Sequence, residues 1–224
     1  MQIMKRGDAA LTLLALEFVL LMGGVPLLLL WLKSRTVMIV ILWVTAVIIY
    51  VWLHRSQGRT FMEEWNWRGM KGYIRPVLIR FAFIGPALFA FMAFMHPDRL
   101  FSFPLERFDT WVKVMILYPL LSVVPQEMIY KSLFFGRYAK LFGKGYWLPL
   151  IVSGLAFGYM HVMLGNVVAV AGTVVAGLLI SQSYLKSRSL ALACFEHALY
   201  GCWVYTVGLG IYFYTGAAWG LQAP

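Results

Sequence analysis

The chain has 224 residues, of which 62% are hydrophobic and only 12% are charged. A soluble globular domain carries about 25% charged residues, so this composition excludes an ordinary soluble protein. The net charge of +10 is therefore not read as a nucleic-acid footprint, and it fits Lys and Arg retained in cytoplasmic loops. Cys194 and Cys202 both fall in an apolar segment, so no disulfide framework is predicted.

Long apolar runs predict one all-α integral membrane domain over residues 1–224, a polytopic bundle of seven to eight transmembrane helices. The first run follows Lys5 and Arg6, is too long for a signal-peptide core and lacks an A-x-A site, so we expect a retained helix. The predicted spans are about Ala9–Leu32, Val37–Leu53, Val77–Met95, Trp111–Val124, Tyr146–Leu164, Val167–Tyr184 and Leu190–Tyr214. A more polar, amphipathic helix over Glu127–Phe142 is the candidate eighth segment.

The segment His54–Pro76 is the most basic part of the chain. Its basic residues are Arg55, Arg59, Arg68, Lys71 and Arg75. The positive-inside rule therefore predicts a cytoplasmic loop here and a cytoplasmic N-terminus. Lys33 and Arg35 then fall on the opposite side, against the rule. The orientation of the second half depends on whether Glu127–Phe142 crosses the bilayer.

Ionisable side chains are costly inside a bilayer, so each one there is a candidate functional residue. The chain has nine carboxylates and four histidines. Those within or beside apolar runs are Glu17, Glu127, Glu196, His161 and His197. Chemistry in the membrane therefore has few residues to draw on.

Three of these residues are predicted to meet. If Glu127–Phe142 and Tyr146–Leu164 form an antiparallel hairpin, Glu127 and His161 each lie about 17 residues, or roughly 25 Å, from its turn. His197 lies near mid-depth of the last predicted span. Close packing of the helices is favoured by small residues, which are Gly154, Gly158, Gly172 and Gly177. The pattern predicts a polar intramembrane pocket.

Such a pocket has a direct chemical use. A carboxylate shielded from bulk water holds a proton more readily than an exposed one, which suits Glu127 to act as a general base on water. His161 or His197 would orient that water or donate to the oxyanion of a tetrahedral intermediate. Lys131, four residues after Glu127, would keep the carboxylate ionised. The alternative is a purely structural ion pair, with each histidine only linking two helices.

Three short motifs follow one another inside apolar helices: QEMIYK at Gln126–Lys131, FGYMH at Phe157–His161 and EHALYG at Glu196–Gly201. They resemble the motifs of the CPBP (CAAX protease and bacteriocin-processing, or Abi) family of intramembrane proteases. Those family motifs are EExxxR, FxxxH and a His followed four residues later by Asn. The resemblance covers about Val112–Trp203, a protease-like core. It implies catalytic roles for Glu127, His161 and His197, with Gln126, Lys131, Phe157 and Glu196 in support.

The motifs depart from the family pattern at three positions. Gln126 stands where the family has its first Glu, Lys131 replaces Arg, and Gly201 replaces Asn. Glu127 is then the only carboxylate of the first motif and is our predicted general base, with Gln126 binding the same water or the substrate as a neutral donor. Loss of the Asn side chain removes an oxyanion donor, for which Asn166 is a distant substitute candidate.

The resemblance implies an intramembrane endopeptidase that hydrolyses a peptide bond of a membrane-attached protein or peptide. It also implies a multi-pass protein of a bacterial inner membrane, with the lipid bilayer and not nucleic acid as its surroundings. The alternatives are a non-catalytic pseudoprotease that acts as a membrane scaffold or immunity protein, and a small transporter. A transporter more often shows paired repeats, which the sequence lacks.

No metal or other cofactor is predicted, but zinc remains an alternative. Glu127, His161 and His197 form a ligand set that zinc accepts, with water in the fourth position. The sequence has no HExxH, and the two histidines lie on different helices. Glu196 points about 100° away from His197 around the helix, which favours a supporting role over a ligand.

A second segment, EEWNWR at Glu63–Arg68, matches EExxxR letter for letter. It lies in the most basic part of the chain, with no FxxxH at hairpin distance after it. We expect a surface helix or interfacial segment anchored by Trp65 and Trp67.

Overall fold

The computed structural model describes residues 6–214, and these residues form helices and turns with no strand among them. Within them, seven helices are long and apolar enough to cross a membrane. We number them α1 (Ala9–Leu32), α2 (Thr36–Gln57), α3 (Phe61–Met95), α4 (Phe108–Phe142), α5 (Trp147–Leu164), α6 (Val167–Ser187) and α7 (Leu190–Val207). The predicted all-α polytopic membrane fold is confirmed. Lys5, part of the predicted basic start, lies outside the described residues.

Polar caps determine where three of these helices begin. Ser34, Asn166 and Ser189 each accept a hydrogen bond from the backbone N–H three residues later. Such side chains satisfy donors that the first helical turn leaves without partners. Gly58, at φ 64°, ends α2 in the left-handed conformation that favours glycine.

The predicted boundary between Trp111–Val124 and Glu127–Phe142 is wrong. Both segments belong to the single 35-residue helix α4. The polar residues that suggested a separate segment, Glu127 and Lys131 among them, are buried inside the protein rather than placed at a membrane surface. Hydropathy does not distinguish a polar residue inside the bundle from one at the membrane surface. The sequence pattern therefore indicated a break where the helix in fact continues.

Two other predicted boundaries differ from the structure. The segment His54–Pro76 is not a loop, since α3 begins at Phe61 and changes direction at Asn66, whose φ is 40°. The last span ends at Val207 rather than Tyr214, because Gly208 adopts φ 100°. Glycine is needed there, since a Cβ would overlap the carbonyl oxygen of Arg99. A short helix, Gly210–Phe213, follows this turn.

The interior of the bundle is built from α5, α6 and α7. In the most apolar 18-residue stretch of each, 50%, 39% and 56% of the residues are buried, respectively, against 17–28% in the first four helices. The glycines at the α5–α6 contact leave no room for a side chain. A Cβ on Gly154 or Gly158 would overlap Leu178 or Val174, respectively. The predicted α4–α5 hairpin is also present, and Ser153 of α5 donates to the Tyr130 carbonyl at 2.8 Å.

Candidate active site

The first motif lies on an irregular part of α4. Gln126 and Glu127 belong to a four-residue α-helical stretch, Val124–Glu127, between two π-helical stretches, Pro119–Val123 and Met128–Tyr138. Prolines 119 and 125 each lack a backbone N–H, so the regular hydrogen-bond ladder is interrupted at both. Wider π turns are frequent at functional sites, where they redirect side chains. Here they turn the polar side chains of the motif toward α5 and α7.

Glu127 is fully buried and lies between an imidazole and an ammonium group. Its Oε1 is 2.7 Å from Nδ1 of His197, and its Oε2 is 3.7 Å from Nζ of Lys131. Lys131 is also fully buried, with Nζ 5.1 Å from the ring centroid of Phe157. Neither Glu127 Oε2 nor Lys131 Nζ has a hydrogen-bond partner among the described residues. The ion pair predicted from the spacing is therefore present, and His197 joins it.

His161 lies directly after the α-helical part of α5, in a short 3₁₀ turn. Its Nδ1 is 2.8 Å from the carbonyl oxygen of Phe157. A carbonyl only accepts, so Nδ1 carries the hydrogen and Nε2 of the neutral ring is an acceptor. The ring of Phe157 lies 4.9 Å from that of His161 and 5.2 Å from that of His197, between centroids. Phe157 thus fixes the spacing of the two imidazoles.

A largely apolar cavity of about 700 Å³ reaches these side chains. The polar groups on its wall are supplied by Tyr118, Ser122, Gln126, His161, Thr173, His197, Tyr200, Tyr205 and Tyr214. Gln126 donates from Nε2 to Ser122 Oγ at 2.7 Å. Glu127 does not line the cavity, since it lies with no exposed surface behind Gln126 and His197. The structure therefore brings all three predicted catalytic residues together but presents only the two histidines to the cavity.

Glu196 belongs to a second buried polar group beside the first. Its Oε1 lies 3.1 Å from Arg80 of α3 and accepts from the Tyr200 hydroxyl at 2.9 Å. Arg80 also contacts Gln182 and Ser183 of α6. Arg80 is not among the site residues predicted from the sequence, although a cation within an apolar run carries the same signal as a carboxylate there. Tyr118 is not among them either, because an aromatic residue in an apolar helix gives no such signal.

Asn166 does not reach the cavity. Its Oδ1 accepts from the N–H of Ala169 at 2.8 Å, and its Nδ2 donates to the carbonyl oxygens of Leu164 and Tyr212. All of its side-chain hydrogen-bonding groups are used to cap α6 and to hold the turn after α7. Asn166 is thus a structural residue rather than an oxyanion donor.

The second EExxxR match also has structural roles. Glu63 completes a capping box with Thr60 at the start of α3. Glu64 is buried, contrary to the expected surface position, because Arg59 pairs with it at 3.0 Å and the Tyr184 hydroxyl donates to it at 3.0 Å. Trp65 and Trp67 stack with ring centroids 5.9 Å apart. The segment joins α3 to α6, away from the histidines.

The described residues contain no group of three or more His, Cys, Asp or Glu side chains arranged to hold a metal ion. In both histidines Nδ1 is engaged, by Glu127 in one and by the Phe157 carbonyl in the other. Hydrogen bonds of this kind leave each Nε2 free and are also usual for zinc-bound histidines, so the absence of a metal stays a prediction.

All three motifs lie in a part of the chain that matches a known family. Residues 108–203 match the family described as type II CAAX prenyl endopeptidase Rce1-like. This segment resembles the Rce1-like family. The Rce1-like family belongs to the CPBP family, so the predicted resemblance is confirmed over these residues. The comparisons with curated proteins and with solved structures gave no match.

The Rce1-like segment extends from the start of α4 to Trp203 in α7. It thus includes the helices that carry Glu127, His161 and His197. At the level of the family, the match supports an intramembrane CAAX-type protease.

Proposed function

We propose that the protein is an intramembrane endopeptidase that hydrolyses a peptide bond of a membrane-attached protein or peptide, with water activated by the Glu127–His197 pair. The observation that carries this proposal is the 2.7 Å contact between Glu127 and a histidine that lines the cavity. It lies within the Rce1-like segment. The proposed substrate is therefore a protein or peptide held in or beside the lipid bilayer.

The geometry supports separate roles for Glu127 and His197. The Glu127 carboxylate accepts from Nδ1–H of His197, which leaves Nε2 as the acceptor on the ring. Because Glu127 has no exposed surface, water meets the pair through His197 rather than through the carboxylate. Glu127 then orients the ring and stabilises the imidazolium that forms, as the carboxylate does in a Ser-His-Asp triad. The ammonium group of Lys131 lies 3.7 Å from the other oxygen of this carboxylate.

The hydrolysis step follows from this arrangement. The water oxygen bonds to the carbonyl carbon while its proton passes to Nε2 of His197, and the C=O π electrons move to the carbonyl oxygen. When the tetrahedral intermediate collapses, the C–N bond breaks and the leaving nitrogen takes the proton from His197. Nε2 of His161 is a second acceptor that orients the water, and Gln126 provides a neutral contact to the substrate.

The cavity supports a substrate with a large apolar part. Its lining is mostly aliphatic and aromatic, contributed by α2 to α7 and by the segment after α7. The family that residues 108–203 match makes a prenylated CAAX peptide a suitable first probe. The setting we propose is a bacterial inner membrane, with the N-terminus in the cytoplasm.

The proposal is tested by comparing protein termini in cells that carry the wild type, Glu127→Ala or His161→Ala. We expect a set of new termini in the wild type that both variants lose. Glu63→Ala is the matched control, because it removes a carboxylate of the other EExxxR match, and it should behave as wild type. A scaffold, immunity protein or transporter would leave every terminus unchanged in both variants, and that result would refute the protease.

A further inference from the structure

Peptide hydrolysis requires a hydrogen-bond donor at the oxygen that becomes negative in the tetrahedral intermediate. Neither histidine supplies one in its neutral form. Both use Nδ1–H within the protein, so both present Nε2 as an acceptor. Gln126 gives one of its two Nε2–H groups to Ser122, which leaves the other for its neutral contact to the substrate. The remaining donors on the cavity wall are hydroxyl groups, those of Tyr118 and Ser122 among them.

Tyr118 places a hydroxyl group on the cavity wall beside His197. It is the last residue of the α-helical stretch Phe108–Tyr118 of α4 and lines the cavity with both histidines. Its ring meets that of His197 edge to face, with centroids 6.0 Å apart. No described residue forms a hydrogen bond with its hydroxyl. Tyr205 packs against its other side with centroids 5.5 Å apart, which fixes the direction of the phenol.

Gly201 provides the space that the phenol occupies. It follows His197 by four residues and so lies one turn along the same face of α7. A Cβ built on Gly201 would overlap Oη, Cε1 and Cζ of Tyr118. The hydroxyl therefore lies directly against the backbone at the position where the CPBP pattern has its last Asn, and a side chain there and this tyrosine exclude each other.

We propose that Tyr118 is the oxyanion donor of this protease and that Gly201 is required to admit it. This inference rests on the proposed function. The Tyr118 O–H donates a hydrogen bond to the former carbonyl oxygen and keeps its proton throughout. The attacking water still gives its proton to His197, and the leaving nitrogen still takes it back. A phenol in place of an amide thus compensates for the absent Asn side chain.

The test uses the full chain in lipid vesicles, with a prenylated CAAX peptide and a substrate peptide taken from the Glu127-dependent termini. Tyr118→Phe keeps the ring and removes only the donor. We expect kcat to fall about 10²- to 10³-fold with KM nearly unchanged, as for loss of one oxyanion donor. Tyr159→Phe, on α5 and outside the cavity lining, is the matched control and should retain the wild-type kcat.

A second measurement separates catalysis from folding. A phosphinic peptide carries a tetrahedral, negatively charged centre and imitates the intermediate. We expect Tyr118→Phe to bind this analogue more weakly by a factor similar to its loss in kcat, while binding the substrate peptide as the wild type does. The double variant Tyr118→Ala/Gly201→Asn, which returns a donor from α7, should recover part of the kcat that Tyr118→Ala loses.

The outcomes distinguish the two proposals. If the wild type cleaves neither peptide faster than Glu127→Ala, the proposed function fails and this inference fails with it. If Glu127→Ala is inactive and Tyr118→Phe has the wild-type kcat, only the inference fails. A loss of kcat in Ser122→Ala with Tyr118→Phe unaffected would assign the donor to Ser122 and overturn the inference in the same way.

Discussion

Two ion pairs hold His197 and Glu196, which are neighbouring residues of α7. His197 is held by Glu127, which is paired with Lys131, while Glu196 is held by Arg80. Charges removed from water are stable only where each has a partner, and the loss of one partner strands the other. The position of His197 is therefore sensitive to substitution of residues that do not touch the substrate.

Lys131→Met should lower the free energy of unfolding by about 3–5 kcal/mol, because it leaves the Glu127 carboxylate buried without a cation. Cleavage should be lost as well, since the carboxylate that contacts His197 Nδ1 loses its neighbouring ammonium group. Lys131→Arg, which restores the residue of the CPBP pattern, should retain activity. Lys140→Met, an exposed lysine of the same helix, is the control. Denaturant titration and the cleavage assay measure both effects, and a fully active Lys131→Met protein would contradict the assigned role.

Arg80→Met should destabilise the protein, because it leaves the fully buried Glu196 carboxylate without its 3.1 Å partner, and Glu196→Gln should destabilise it less, because Arg80 is 19% exposed. The double variant should be less destabilised than the sum of the two single variants. A double-mutant cycle on the unfolding free energy measures this coupling. Strict additivity would show that the two side chains do not interact.

Chelation provides a separate test of the zinc alternative. We expect the Glu127-dependent cleavage to be unchanged after treatment of the purified protein with a strong chelator, because the described residues hold no group of three or more His, Cys, Asp or Glu side chains arranged for a metal ion. Metal analysis by mass spectrometry of the same sample should show no stoichiometric zinc. Activity that disappears on chelation and returns only with Zn²⁺ would support the alternative instead.

At the scale of helices, the α4–α5 hairpin could be predicted from residue arithmetic, because Glu127 and His161 lie at similar distances from the turn. The continuity of α4 could not be predicted. Its polar residues belong to an internal face, and hydropathy averages over all faces of a helix. The positions of Arg80 and Tyr118 were equally inaccessible, since both depend on how α3, α4 and α7 pack together.

The α5–α6 contact depends on the absence of side chains at its centre. Gly158→Ala would place a Cβ against Val174, and we expect a loss of about 1–3 kcal/mol from overpacking. Gly72→Ala in α3 meets no atom within 4 Å and should be neutral or slightly stabilising, because alanine favours the helix. Thermal unfolding in detergent compares the two variants. Equal stabilities would show that the helices are not closely packed at Gly158.

At the scale of the whole molecule, the helix connections predict an orientation for the second half. With α4 as one span, the α2–α3, α4–α5 and α6–α7 connections share one face of the bundle. Contacts support this, because Gln57 donates to the Gly136 carbonyl and Lys186 lies over the Tyr146 ring. The basic residues at these connections are Arg55, Arg59, Lys140, Lys144, Lys186 and Arg188. The positive-inside rule therefore predicts a cytoplasmic location for this entire face.

Cysteine labelling tests this topology. In a Cys194→Ala/Cys202→Ala background, Arg55→Cys and Lys144→Cys should both be protected from an impermeant thiol reagent added to intact cells. Arg107→Cys, before α4 on the other face, should react. Labelling of Lys144→Cys but not Arg55→Cys would mean that α3 and α4 do not both cross the bilayer.

The unequal lengths of neighbouring helices have a consequence for the surrounding lipid. At 1.5 Å per residue, the 35 residues of α4 extend roughly 52 Å, while the 18 residues of α5 and of α7 each extend roughly 27 Å. The hydrocarbon core is about 30 Å thick, so α4 exceeds it and must tilt or protrude, while α5 and α7 barely span it. His161 lies three residues before the end of α5. We therefore expect the acyl-chain length of the surrounding lipid to affect the rate of hydrolysis.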